Sequence, residues 1–237
     1  MRRRFFVGEV RNGRAELSGD DARHLTRVLR VEAGQRYEIS DNRNVYLAEI
    51  ETARKEHVIF RTLEKMSAPA PAPKLILLAA IFKFDHFEWM IEKATELGVG
   101  QIVPVEATRS ERGLERAAQK RLERWRRIAL ESSQQSRRAF LPEIEEPVAF
   151  DEALAFQATH RLVLDEDPEA PRLTAPQLHV ADSVAIFIGP EGGWTEEERR
   201  EFVAAGWTRA SLGPLILRAE TAAIAALAII GSGNPLN

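Results

Sequence analysis

The 237-residue sequence contains no cysteine, which removes disulfides, thiolate metal centres and cysteine nucleophiles from consideration. Its five histidines, His24, His57, His86, His160 and His179, are scattered without a helical pair at ligand spacing, so no zinc or iron site is expected. No Gly-x-Ser-x-Gly elbow is present for a serine hydrolase. No stretch reaches the ~20 apolar residues of a membrane span. The opening Met1-Arg2-Arg3-Arg4-Phe5-Phe6-Val7-Gly8 lacks the apolar core of a secretory signal, and a cytoplasmic location is expected. Nucleotide fingerprints are missing as well. No Gly-x-Gly-x-x-Gly follows a strand-like run, and no glycine loop leads into Gly-Lys-Ser/Thr.

What is present belongs to a globular protein, with 44% hydrophobic and 29% charged residues, enough for a sizeable core in one large or two smaller domains. The net charge of -3 hides a strong segregation. Residues 1–30 carry eight arginines against four acids, residues 109–138 ten basic against four acidic side chains, and residues 143–201 fifteen acids against four arginines. Such a chain can present a basic face to a polyanion while remaining acidic overall.

A run of alternating proline, Ser67 to Pro73, forbids helix and central strand and reads as a semi-rigid spacer. It separates a first domain, residues 1–68, from a second, residues 74–237. In the first, alternation over Arg36–Ser40, Val45–Ile50 and His57–Leu63, with a turn at Asp41-Asn42-Arg43, predicts short strands. One helix is expected from about Asp20 to Leu29, opened by Ser18 with Asp21 as a capping box. A small, mostly β, barrel-like unit follows.

In the second, the continuous apolar run Lys74 to Ile81 is the mark of a strand buried on both faces of a parallel sheet. A helix from about Asp85 to Leu97 ends at Gly98. A strand at Ile102–Val105, a long helix from about Leu114 to Ser133, a short helix opened by Asp151, and strands at Arg161–Leu164 and Val184–Ile188 complete an α/β alternation. Thr195 and Glu198 cap the next helix. Within the long helix, Leu114, Ala118, Leu122, Trp125 and Ile128 or Ala129 form the core stripe and leave Lys120, Arg121, Arg124 and Arg127 outside. Its end, Ser132 to Arg138, reads as too polar for core. The closing helix, Ala219–Ile230, is apolar almost all round, so it belongs at the centre of the core or in a subunit interface.

The chemistry-bearing feature is a pair of glycine-proline loops, Ile188-Gly189-Pro190-Glu191-Gly192-Gly193-Trp194 and Leu212-Gly213-Pro214-Leu215-Ile216-Leu217. Each follows a strand-like segment, and the second runs into Arg218-Ala219-Glu220-Thr221-Ala222. Glycine loops leave main-chain groups free to grip a ligand. Glu191 at the first loop's tip would repel phosphate, which points to a phosphate-free ligand. His24 stands out among the histidines because Arg23, Arg27 and Arg30 surround it.

These loops, with Arg3-Arg4-Phe5-Phe6, the segment His24 to Arg30, Glu92-Lys93-Ala94-Thr95-Glu96-Leu97-Gly98-Val99 and Gln134-Gln135-Ser136-Arg137, make the chain resemble the bacterial 16S ribosomal RNA uridine-N3 methyltransferases. Those are S-adenosylmethionine-dependent enzymes of the SPOUT (trefoil-knot) superfamily, and the resemblance covers essentially the whole length. It implies a PUA-like RNA-binding β-barrel domain followed by a parallel-sheet α/β trefoil-knot methyltransferase domain. It also implies a homodimer through the knotted domain, and 16S ribosomal RNA or the small ribosomal subunit as partner. S-adenosylmethionine would contact Leu164, Ile188, Gly189, Pro190, Gly192, Gly193, Leu212, Gly213, Ile216, Leu217, Thr221 and Ala222. Arg218 would stabilise the uracil as its N3 proton leaves, with Glu191 and Glu220 as available proton acceptors; Glu220 can equally be tied to its own helix N-terminus. RNA would lie on Arg2, Arg3, Arg4, His24, Arg27 and Arg30, and on Lys83, Gln134, Gln135, Arg137 and Arg138, with the target base turned out of its stack. A SPOUT methyltransferase acting at another RNA position and a non-catalytic RNA-binding assembly protein are the rival readings.

Overall fold

A computed structural model describes residues 3–68, 73–111, 113–167, 169–175 and 177–232. Most of the proline spacer and Arg2 lie outside the described residues. The chain divides into two compact units. The first is formed by the described residues up to 68 together with Ser133–Leu141, and the second by those from 73 to Ser132 and from Pro142 onward.

The first unit is a six-stranded mixed sheet with strands β1 (Arg4–Phe6), β2 (Val10–Arg11), β3 (Arg14–Ser18), β4 (Arg36–Ser40), β5 (Val45–Arg54) and β6 (His57–Met66) in the order β1-β4-β5-β6-β3-β2. β1 runs parallel to β4 and the other ladders are antiparallel. Alternating residues, among them Ala15, Leu17, Ile39, Ala48, Ile50, Val58 and Phe60, form its core with Phe5 and Leu25. The β4–β5 turn works as its sequence reads: Asn42 takes φ 63, and Asp41 Oδ1 accepts from the amides of Arg43 and Asn44 at 2.9 and 2.6 Å. The first three strands carried too short a pattern to be foreseen.

The helix α1 (Gly19–Arg23) continues as a π-helical turn over His24–Val28. The expected capping box at Ser18 is absent, since the Ser18 side chain makes no capping bond. Ser18 is the last residue of β3, paired with His57, and Gly19 at φ 63 turns the chain while its amide bonds Glu56 O. Strand pairing therefore fixes the helix entry.

The second unit is a parallel α/β sandwich. Its strands β7 (Lys74–Ala80), β8 (Gln101–Glu106), β9 (Glu143–Ile144), β10 (Val148–Ala149), β11 (His160–Leu164), β12 (Ser183–Ile188) and β13 (Thr208–Ala210) follow the order β10-β8-β7-β12-β11-β13, with β9 beside β8. All these pairings are parallel. Period-two alternation divides the central strands between two cores: Leu75, Leu77 and Ala79 of β7 face one side, and Ile76, Leu78 and Ala80 the other. The first core is closed by α2 (Phe84–Glu96), α4 (Leu122–Ser136) and α7 (Ala219–Ser232). The second is closed by α5 (Phe150–Leu154) and α6 (Glu196–Ala204). Both faces of the sheet are thus covered, as continuous apolar strands require.

Two expectations are revised, and of the two places offered for the closing helix the centre of the core is excluded. The long helix is two pieces, α3 (Leu114–Gln119) and α4, broken where the amides of Lys120 and Arg121 bond three residues back to Ala117 and Ala118. Helical phase survives the break, so Ala118, Leu122, Trp125 and Ala129 still share one buried stripe. Ser132 and Ser133, read as too polar for core, are buried, because Ser132 Oγ donates to Glu92 O of α2 at 2.8 Å. The closing helix is covered on one face only: Ala223, Ala226, Leu227 and Ile230 are buried, while Ile224, Ala225 and Ile229 are half-exposed and Ala228 is exposed. Among the described residues no helix is long and apolar enough to cross a membrane.

Candidate active site

The carboxyl ends of β7, β11, β12 and β13 open into a cavity of about 610 Å³, the position where open parallel sheets bind ligands. Both glycine loops meet in its wall. Of the residues expected to hold a cofactor, Leu164, Ile188, Gly189, Pro190, Gly193, Leu212, Gly213, Ile216, Leu217 and Ala222 line it, as do Glu191 and Arg218. Gly192, Thr221 and Glu220 do not. Gly192 turns the other way, its carbonyl accepting from Arg109 Nη1 at 2.7 Å, and the Glu220 side chain is only 6% exposed.

The first loop is fixed from below. Trp194 is buried and donates through Nε1 to Leu164 O at 2.8 Å, and the Gly193 amide bonds Pro190 O at 2.9 Å. Thr195 and Glu198 form the expected capping box on α6, a device worth about 1 kcal/mol. The other carboxylate oxygen of Glu198 accepts from the Thr108 amide at 2.9 Å, so this buried side chain also ties down the segment after β8. Two glycines are favoured here, Gly189 by the buried ring beside it and Gly193 by its left-handed backbone. A Cβ on Gly189 would stand 3.1 Å from the Trp194 ring, and one on Gly193, at φ 67, would stand 2.7 Å from Glu166 Oε1.

The second loop is held at its start, where Ser211 Oγ bonds Gly213 and Ser211 pairs with the 171–173 segment. Beyond it Leu215 and Ile216 are 77% and 81% exposed. Arg218 is exposed, but its main chain is anchored because its carbonyl accepts the Ala222 amide at 2.8 Å in the first turn of α7.

Residues not assigned a cofactor, catalytic or RNA role complete the wall: Asp165, Glu166, Trp194, Ser211, Leu215, His86 and Ala219. Asp165 and Glu166 directly follow β11, and the strand-end rule applied to every strand would have found them. Asp165 is almost completely buried and held by Arg199 of α6 and Arg209 of β13 at 3.2 and 2.9 Å. This charge-assisted cluster fixes the loop carrying Glu166. Next to it, the Glu169 amide and the Arg209 guanidinium hold the Asp167 carboxyl below the ordinary range. Lys83, expected on RNA, lines the cavity as well.

The expected RNA residues of the first unit fall into two groups. Arg3, His24, Arg27 and Arg30 are exposed. Arg4 is engaged instead: its guanidinium pairs with Glu38 at 2.7 Å and donates to Arg137 O at 2.8 Å, which makes it a brace for the Arg137 segment. Arg137 itself sits at φ 59, and Arg30 at φ 51, a left-handed backbone that costs a non-glycine residue about 1 kcal/mol and recurs at functional sites. Gln135 is exposed, Gln134 and Arg138 are half-buried, and burial lowers the Arg138 guanidinium to about 10. Arg121, just before α4, and Arg124 within it both close on Glu88 at 2.9 and 2.7 Å.

A parallel-sheet α/β domain with a main-chain-walled cavity at its strand ends, three carboxylates and an exposed guanidinium around it, defines a ligand-binding enzyme of the α/β class. The comparisons with known proteins place it further. A family model described as an RNA methyltransferase domain matches residues 69–231, and one described as an RNA methyltransferase PUA domain matches residues 17–63. The Ribosomal RNA small subunit methyltransferase E of Synechocystis is 35% identical over 88% of this chain and 70% of its own length. The protein of that name from Bacillus subtilis is 30% identical over 90% and 88%. A crystal structure of a Ribosomal RNA small subunit methyltransferase E from Neisseria gonorrhoeae, bound to S-adenosyl methionine, superposes with a TM-score of 0.87 at 28% identity, covering 98% of both chains. The chain therefore belongs to the RNA methyltransferase family, with a PUA-like β unit and an α/β unit of the SPOUT trefoil-knot type.

Proposed function

We propose that the protein methylates N3 of a uridine in 16S ribosomal RNA with S-adenosylmethionine as donor, acting as a homodimer in the cytoplasm. The observation that carries this reading is the convergence of both glycine loops, with Arg218, on one cavity of about 610 Å³.

The cavity suits the cofactor chemically. Its loops carry glycines where a Cβ would collide, and Asp165, Glu166 and Glu191 line it, a set that disfavours phosphate and favours a ligand bearing ammonium and sulfonium charge. Leu212, Ile216 and Leu217 offer an apolar face for adenine. Main-chain groups of Ile188, Gly189, Gly193 and Leu217 are available for its edge and the ribose. When bound, the cofactor supplies an electrophilic methyl group.

The acceptor imposes the remaining demand. Uridine N3 is a poor nucleophile until its imide proton leaves, and the anion then spreads onto the neighbouring carbonyl oxygens. Arg218, its main chain anchored at the start of α7 and its residue lining the cavity, is the cation available for that charge. The buried position of Glu220 favours its structural role at the α7 N-terminus over direct contact with the base. Arg3, His24, Arg27, Arg30, Gln135 and Arg137 are the RNA contacts, with Arg4 bracing Arg137. The half-exposed apolar face of α7, with Ile224, Ala225 and Ile229, supports a second copy as its cover.

Nucleoside mass spectrometry of small-subunit RNA from a strain lacking the gene tests the reading. Loss of N3-methyluridine, restored by the wild-type gene, is the expected result. An unchanged nucleoside profile, or loss of a ribose-methylated nucleoside instead, removes it.

A further inference from the structure

Two neighbouring buried atoms beside the cavity, Nδ1 of His86 and Oε2 of Glu220, have no hydrogen-bond partner. Their side chains meet through the other carboxylate oxygen. His86 Nδ1 lies 3.0 Å from Glu220 Oε1, within bonding distance but without the alignment of a hydrogen bond. His86 comes from the first turn of α2 and Glu220 from the first turn of α7. The histidine, not the carboxylate, lines the cavity, in company with Arg218.

A carboxylate this deeply buried is costly unless its charge is compensated. The amino end of α7 compensates part of it, and a protonated imidazole would compensate the rest. With Nδ1 facing Glu220, Nε2 is the ring nitrogen left to take up a proton. A histidine oriented by a buried acid in a ligand cavity is the chemistry of a general base.

We propose that His86, positioned by Glu220, accepts the N3 proton of the uridine. This rests on the uridine-N3 reading above. The uridine loses its N3 proton to Nε2 of His86, and the former N–H pair forms the new bond from N3 to the methyl carbon. The pair of the broken carbon–sulfur bond stays on the sulfur of the sulfonium donor, and His86 passes its proton to water. Arg218 holds the charge on the uracil oxygens while this occurs. The other charged groups bearing on the ring are Lys83 and Asp85, paired at 3.8 Å on its own helix, Arg218 before α7, and Asp165, Glu166 and Glu191 on the other cavity walls. Glu220 is the carboxylate at 3.0 Å from Nδ1.

The test is the pH profile of single-turnover methylation of unmodified small subunits between about pH 5.5 and 9. The wild-type rate is expected to rise with pH through one imidazole midpoint and level off, and NMR of the His86 ring should titrate with that same midpoint. Glu220→Gln should move both midpoints together. His86→Gln should lose about 100-fold at neutral pH and show no plateau, its rate climbing with hydroxide. Calorimetric affinity for S-adenosylmethionine should stay within about threefold of wild type, which is under 1 kcal/mol. His86→Asn should behave alike and stands in if the glutamine variant folds poorly. A His86→Gln rate within threefold of wild type, a profile lowered evenly with the midpoint kept, or a ring midpoint that departs from the kinetic one each overturns the assignment. If the wild-type product carries its methyl group on an atom other than uridine N3, both this inference and the functional reading fall.

Discussion

The two glycine loops look alike in sequence and behave differently in the fold. The 188–194 loop is locked by Trp194, Arg109 and the Thr195–Glu198 capping box, whereas the 212–217 loop is tethered at Ser211 and then exposes Leu215 and Ile216. The locked loop is a wall whose shape exists before any ligand arrives. The open loop presents apolar side chains whose burial remains to be gained, at about 25 cal/mol per Å² covered. Preorganisation on one side and available apolar surface on the other divide selectivity from affinity within a single cavity.

Breaking the exit of the open loop should have the largest effect. Arg218→Ala is expected to lower the single-turnover methylation rate by at least 100-fold, about 3 kcal/mol, while cofactor affinity by calorimetry stays within a few-fold. Wild-type turnover would take Arg218 out of the chemistry. Damage to the locked loop should follow next. Gly193→Val puts a β-branched residue at φ 67, with its Cβ on Glu166, a strain of about 1–3 kcal/mol. It should lower both the melting temperature and cofactor affinity, the latter roughly 10-fold or more.

Ile216→Ala sharpens the contrast. Because Ile216 is 81% exposed, the variant should melt with the wild type yet bind S-adenosylmethionine about fivefold more weakly, close to 1 kcal/mol of lost apolar contact. A parallel loss of stability would mean that the loop is packed in solution. The smallest effect lies away from both loops. The Arg124 guanidinium, joined by Arg121, holds the Glu88 carboxyl below its ordinary value of 4.5 despite burial. A depressed carboxyl stabilises the fold above its unfolded value and loses that contribution as pH falls through the folded one. Glu88→Gln should therefore flatten the acid side of a denaturation-against-pH curve below about pH 5, with a difference near 1 kcal/mol because both arginines are solvent-exposed.

Much of this was written locally. The strand Lys74–Ala80, the helix ending at Gly98, the Asn42 turn and the Thr195–Glu198 cap all rest on neighbours in sequence, so periodicity and turn chemistry located them. The glycine loops were legible for the same reason: a loop that must lack a Cβ spells its requirement in glycine. Contacts joined through the fold were not legible. Nothing near Asp165 announces that Arg199 and Arg209 will meet on it, nothing in Arg4 marks it as Arg137's brace, and Ser132 looks polar until Glu92 O appears beside it. His86 was one scattered histidine among five. Its meaning comes from Glu220, 134 positions away (220 − 86), through the packing of α2 on α7. Ser18 shows the opposite failure, a local signal overruled when strand pairing with His57 fixed the chain direction first.

The most direct test of the central claim is a crystal structure of the protein with S-adenosylhomocysteine. The nucleoside should lie between residues 188–194 and 212–217, its adenine edge bonded to main-chain atoms of both loops and its sulfur turned toward Arg218. A nucleoside bound elsewhere on the sheet, or an adenine read chiefly by side chains while either loop stands clear of it, would contradict the account.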